Sequence, residues 1–180
     1  KTIRYGLGAI KGTGEAALSV ILKARDADGS FRDLFDFCRR IDKRVVNRRV
    51  IEALIRAGAF DSIDERRASL MASVGIALEA AEQAERNALQ VGLFDAGGGQ
   101  DQPLKMVEVP PWSERERLLN EKQALGFFLS GHPYNEVRAE LSAFVRRPLA
   151  SLEPQKEPLL LAGIVTATRT QMTRRGKMIV

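Results

Sequence analysis

The sequence predicts a mainly α-helical chain with a short β-prone tail. Three observations carry this. Apolar residues recur at helical spacing through most of the first 144 positions, broken by Gly, Pro and Ser/Asn-type caps. A long Ala-rich stretch, from about Asp64 to Leu89, has Leu70, Val74, Ala77, Leu78 and Ala81 as one stripe. After Pro148 and Pro154 the texture changes to Leu159-Leu-Leu-Ala-Gly-Ile-Val-Thr-Ala-Thr-Arg-Thr, which reads as strand.

Taken in order, a turn-rich lead over residues 3–14 opens into a helix from about Glu15 to Lys23, with Ala17, Leu18, Ile21 and Leu22 as its face. Asp26-Ala-Asp-Gly-Ser reads as a loop. Ser30 is the expected N-cap of a helix through Leu34, Phe35, Cys38 and Ile41. Asn47 caps the next helix, with Val50, Leu54 and Ile55 on one side, and Gly58 ends it. Gly75 weakens the long helix locally. Residues 95–112, with three consecutive Gly and then Pro103, Pro110 and Pro111, read as a linker. Ser113 and Glu116 form a capping box for a helix through Leu118, Leu119, Lys122, Leu125 and Phe128, stopped by Gly131 and Pro133. Val137, Leu141 and Phe144 mark one more helix. Arg174-Arg-Gly is a hairpin turn into Lys177-Met-Ile-Val, and the strands are too few to close a sheet.

Composition bounds the function. The chain has 180 residues and net charge +5. That length suits one or two small domains. No apolar run reaches the roughly 20 residues a membrane helix needs. The Lys-Thr-Ile start suggests a piece of something longer. One Cys excludes an internal disulfide and, with one His, excludes Cys/His zinc sites, so a reducing, cytoplasmic setting is expected. The charge is uneven. Residues 1–67 carry 15 basic and 10 acidic groups, residues 68–133 carry 5 and 9, and residues 134–180 carry 8 and 4. Two basic ends around an acidic middle favour a polyanionic partner at the ends.

Three features look chemical and read otherwise. His132, between a helix end and a Pro, reads as a turn or capping residue. Asp26 and Asp28 resemble a metal-binding pair, but Gly29 puts them in a turn, and a two-metal site needs a rigid platform. Cys38 shares a face with Leu34 and Ile41, as a core thiol does. No catalytic residue and no metal ligand is expected.

The informative local signal is Ile10-Lys-Gly-Thr-Gly-Glu-Ala-Ala-Leu-Ser-Val-Ile21. Gly12 and Gly14 remove Cβ atoms directly before a helix, so a backbone can approach an anion and meet the free N–H groups there. Lys11 adds charge. With Thr13 this resembles a helix–hairpin–helix, which grips a phosphate without reading bases. A plain helix entry with two turn glycines is the alternative. A second, degenerate copy spans Asn47–Met71 around Ala57-Gly-Ala-Phe-Asp61. It has one Gly, and Asp61 would repel phosphate, so it is expected to pack against the first. Arg39, Arg40, Lys43, Arg44, Arg48 and Arg49 line either a duplex backbone or a solvated face. Gln90-Val91-Gly92-Leu93-Phe94 places two large apolar side chains where the long helix runs out. A partner's pocket, or their own helix, can take them.

Glu121-Lys-Gln-Ala-Leu-Gly-Phe-Phe-Leu-Ser-Gly-His-Pro133 makes a wider resemblance close. So do Tyr5-Gly-Leu-Gly-Ala-Ile-Lys-Gly-Thr-Gly-Glu15, Leu34-Phe-Asp-Phe-Cys-Arg-Arg40 and Glu52-Ala-Leu-Ile-Arg-Ala-Gly-Ala-Phe-Asp61. Together they resemble the C-family replicative DNA polymerases of bacteria, over the whole chain and in order. The resemblance implies a tandem helix–hairpin–helix domain over 1–94, the linker at 95–112 and a helical connector over 113–153. The first strands of an OB-like β barrel would follow at 154–180. It implies duplex DNA at the hairpins and the β sliding clamp at Gln90–Phe94. Other replicative subunits would be partners of the full protein. The polymerase active site, with its Mg2+, lies elsewhere; this segment needs no cofactor and no membrane. Thr13 stands where that family usually has an aliphatic residue, an isosteric change expected to be harmless. Residues 159–180 contain no aromatic, so base stacking is unsupported there, and Arg169, Arg174, Arg175 and Lys177 support only backbone contact. Rival readings are a repair enzyme's hairpin module, a non-catalytic clamp adaptor and an error-prone paralogue.

Overall fold

In the computed structural model, residues 5–91, 105–145, 151–154, 157–165, 168–173 and 178–179 are described. The chain divides into two compact units, Lys1–Leu129 and Ser130–Val180.

The first unit is helical. A single 3-10 turn at Leu7–Ala9 precedes α1 (Glu15–Asp28), α2 (Leu34–Arg40), α3 (Arg48–Arg56), the long α4 (Arg67–Val91) and α5 (Glu114–Leu125). Caps within one turn set several of the starts. Asn47 accepts from the Val50 N–H, and Ser113 and Glu116 form the expected capping box. The expected stripe of α4 faces inward, with Leu70, Val74, Ala77 and Ala81 buried. These join Ile21, Leu34, Phe37, Ile51, Leu54, Ile55 and Phe60 in one core. Phe37 sits between Phe31 and Phe60 in two edge-to-face contacts, at 4.9 and 5.0 Å between centroids. Cys38 is fully buried, and that burial pushes its thiol up to about 12, as a core thiol requires.

Four local expectations are corrected. The cap of α2 is Asp33, not Ser30: its carboxylate accepts from Asp36 N–H at 2.7 Å. Asp26–Asp28 is not a loop but the last turn of α1, which ends at Gly29 with φ +77°. Arg40 of α2 extends it, donating to the carbonyls of Ala24 (2.7 Å) and Gly29 (2.8 Å) that the helix end leaves open. Helix α5 stops at Gly126, in the left-handed region at φ +92°, rather than at Gly131. Residues 105–112, read as the end of a linker, lie extended along α4. The N–H groups of Val107 and Val109 donate to the hydroxyls of Ser73 (2.8 Å) and Ser69 (3.3 Å). Two residues along a strand thereby match four along a helix, and Met106 and Trp112 are laid against the core.

In the second unit α6 (Tyr134–Leu141) follows His132, whose Nδ1 accepts from the Tyr134 N–H at 3.2 Å. His132 is thus the expected turn residue. Among the described residues the strands are β1 (Gln171–Met172) and β2 (Met178–Ile179), paired antiparallel with Gln171 opposite Ile179. That register suits the hairpin expected at Arg174–Gly176, which lies outside the described residues. The described positions 159–165 form no regular strand. No described helix is long and apolar enough to cross a membrane.

Candidate nucleic-acid interface

The candidate site is the turn between the 3-10 segment and α1. Gly12 has φ +89°, which favours glycine. Gly14 is the N-cap of α1 in extended conformation and supplies no side-chain cap. A Cβ at either glycine would meet nothing within 4 Å. The outer side of this turn is therefore open. Helices α2, α3 and α5 are closed at their starts by their own Asp33, Asn47 and Ser113, but α1 is not. Its first-turn N–H groups, with the positive end of the helix dipole, face an open approach.

Thr13 points the other way. It is buried, and its hydroxyl donates to the Ile10 carbonyl at 2.6 Å and lies 3.0 Å from that of Leu7. The hydroxyl closes the turn from inside, a role an aliphatic residue cannot fill. Lys11 is exposed at its side chain, while its backbone N–H donates to the Ala124 carbonyl of α5 at 2.7 Å.

The six expected cations do not form one surface. Arg40 is turned inward: it bonds Asp36 at 3.1 Å, holds the end of α1 and lies 4.4 Å over the Phe31 ring. Lys43 is largely covered and pairs with Glu85 at 2.9 Å. Both are committed to the fold. Arg39, Arg44 and Arg48 are exposed but paired with Asp36, Asp42 and Glu52, each within four residues. Arg49 is exposed and has no ion pair among the described residues. Of the cations expected to meet DNA, those open to solvent are thus Lys11, Arg39, Arg44, Arg48 and Arg49.

The second hairpin is closed. Gly58 has φ +80°, and the space a Cβ would occupy is filled by the guanidinium of Arg67. Arg67 grips Asp61 through both Nε and Nη2 and donates from Nη1 to Glu121 at 3.0 Å. The bond to Asp61 comes first in raising the Arg67 pKa, against the burial that opposes it. Asp61 is therefore neutralised internally, and this turn offers no anion a seat.

Glu121 was not singled out by itself in the sequence, yet it is fully buried and links α5 to this turn. Its second oxygen accepts from the Leu129 N–H at 2.9 Å. The available signal was its position: Leu118, Glu121 and Leu125 share one face of α5, and a carboxylate on a buried stripe implies a buried partner.

A family model for the helix–hairpin–helix motif matches residues 1–70. Proteins named DNA polymerase III subunit alpha match 98% of the chain. That of Neisseria meningitidis serogroup A is 49% identical over 176 residues, that of Vibrio cholerae 44% over 184, and that of Escherichia coli K12 40% over 185. The chain is homologous to a segment of DNA polymerase III subunit alpha. It spans 15–16% of the length of these relatives. The resemblance drawn from the motifs is thus shown, and the model match covers both hairpins up to the start of α4.

Of the five positions expected to hold a sliding clamp, Gln90 and Val91 form the end of α4. Gly92, Leu93 and Phe94 lie outside the described residues. Among the described residues no group of three or more His, Cys, Asp and Glu is placed to hold a metal ion.

Proposed function

We propose that this chain is the part of a replicative DNA polymerase alpha subunit that holds product duplex and tethers the enzyme to the β sliding clamp, without doing chemistry itself. The observation that carries the duplex reading is the uncapped start of α1 behind Gly12 and Gly14. Backbone N–H groups there take a phosphate oxygen, Lys11 adds positive charge at the turn, and the exposed Arg39, Arg44, Arg48 and Arg49 supply further cations on the same unit. Such contacts ignore base sequence. Gln90–Phe94 is the tether, acting through effective concentration. Residues 154–180 begin an OB-fold whose Arg169, Arg174, Arg175 and Lys177 support contact only with a nucleic-acid backbone. Nucleotide transfer, its Mg2+ and the other subunits belong to the remainder of the full protein, which works in the cytoplasm.

The test is duplex binding against salt, with Gly14→Asp as the variant. With roughly 3–5 phosphates neutralised, log K against log salt should slope about −3 to −4. Asp is a better N-cap than Gly, so Gly14→Asp leaves α1 intact or slightly steadier while its carboxylate occupies the phosphate seat. Affinity should fall at least about tenfold with an unchanged melting temperature. Binding that follows base sequence, or that survives Gly14→Asp, overturns the reading.

A further inference from the structure

We propose that Glu121 is a positioning residue for duplex binding: through Arg67 it holds the basic helix α3 in fixed register with the phosphate turn, although it touches no DNA. The inference rests on the duplex reading above.

Two attachments lie one turn apart on α5. At Ala124 the carbonyl receives the Lys11 N–H at 2.7 Å, which pins the phosphate turn. At Glu121, three residues earlier on the same face, the carboxylate receives Arg67 Nη1 at 3.0 Å. Arg67 passes the attachment on. Its Nη1 also lies 3.5 Å from the carbonyl of Arg56, the last residue of α3, and its other nitrogens grip Asp61 just beyond. The phosphate turn and the end of α3 are therefore both docked to a single turn of one helix. Helix α3 then carries Arg48 and Arg49 at its far end, roughly 12 Å along its axis from Arg56 at 1.5 Å per residue. Two elements that both contact one duplex do so at lower ordering cost when they do not move independently.

Arg67 has no slack for another arrangement. It fills the space beside Gly58, and Glu121 is held from its other oxygen by Leu129 N–H at 2.9 Å. A carboxylate meant only to neutralise Arg67 would be redundant, because Asp61 already pairs with it. Helices α3 and α5 pack directly; what Glu121 adds is a buried charged link from α5 to the turn that follows α3, across 54 positions of sequence.

The experiment measures duplex affinity of the 180-residue chain at several salt concentrations, alongside thermal melting, for wild type, Gly14→Asp, Glu121→Gln and the double replacement Glu121→Leu with Arg67→Met. Glu121→Gln keeps an acceptor for Arg67 but removes the charge, while the double replacement removes the Glu121–Arg67 pair together and fills its place with apolar side chains, leaving Asp61, which is 38% exposed, to solvent. Expected for both is affinity about five- to tenfold lower and a salt slope shallower by about one, since fewer phosphates are engaged. A purely structural role predicts a lower melting temperature with the wild-type salt slope below it. If the well-folded double variant binds with wild-type affinity and slope, the proposal is wrong. If Gly14→Asp is also without effect, the duplex reading itself has failed; if Gly14→Asp abolishes binding, only the role of Glu121 has.

Discussion

The backbone N–H of Lys11 donates to the carbonyl oxygen of Ala124 at 2.7 Å, joining the residue before Gly12 to the last turn of α5. An exposed glycine turn would otherwise be free to rearrange. The bond gives it a fixed base, and Gly126 completes the contact: a Cβ there would stand 3.2 Å from Lys11 Nζ. The same bond brings Ala124-Leu-Gly126 against Ile10-Lys-Gly-Thr-Gly14, although more than 100 residues separate them.

The three turn glycines should respond differently to alanine. Gly14→Ala, at ordinary φ and in open space, should be nearly neutral for stability. Gly12→Ala meets no atom but must hold φ +89°, costing about 1–2 kcal/mol. Gly58→Ala adds to that strain a collision with Arg67 and Asp61, for about 3 kcal/mol in all. Urea unfolding of the three variants checks the order.

Thr13→Val removes a hydroxyl that closes the turn onto Ile10 and Leu7. A loss of about 1 kcal/mol is expected, because one buried hydrogen bond disappears while both carbonyls keep their backbone partners. Thr13 is accommodated because its hydroxyl finds acceptors, and the reverse change to an aliphatic residue is the costly one. Equal denaturation midpoints for wild type and Thr13→Val would contradict this.

Stability should decline in acid through Asp36. Burial opposes its charge, but the Arg32 N–H and the Arg40 and Arg39 guanidinium groups outweigh that and hold its carboxyl below the usual 3.8. A depressed folded pKa means the contribution is present in full above the unfolded value and is lost as pH falls through the folded one. Asp36→Asn should therefore cost about 1–3 kcal/mol at pH 7, with the gap to wild type closing as pH falls below 3.8 and through the lower folded pKa. Unfolding free energies at pH 7, 4, 3 and 2 for both chains measure it.

Replacing Leu93 and Phe94 together by Ala should weaken sliding-clamp binding at least about a hundredfold, since each buried side chain contributes about 1.5–3 kcal/mol. Gln90→Ala should cost about 1 kcal/mol. Duplex affinity and melting temperature should hold. A folded double variant that still captures the clamp normally would end the tether hypothesis, whereas a lower melting temperature with disturbed DNA binding would return Leu93 and Phe94 to the core.

The chain alone is expected to add no nucleotide to a primer with any divalent metal, because the resemblance places the metal-holding carboxylates elsewhere in the full protein. Template-dependent extension by the pure chain would be the contrary result.

Much of the first unit was legible in the residues because its causes are local. Asn47 and Ser113 cap helices three residues on, Gly58 needs its positive φ whatever surrounds it, and the stripe of α4 repeats every turn. The open turn at Gly12–Gly14 was legible for the same reason. What only the tertiary structure decided depends on groups far apart in sequence. Arg40 and Arg39 are identical neighbours, yet one is drawn inward because the end of α1 leaves carbonyls unsatisfied and the other stays in solvent. Asp61 reads as a repulsive charge until Arg67 and Glu121 close around it. Residues 105–112 read as linker until the hydroxyls of Ser69 and Ser73 offer their N–H groups a partner. In each case a buried polar group must find its complement, and the chain's path, not its local pattern, determines which one is within reach.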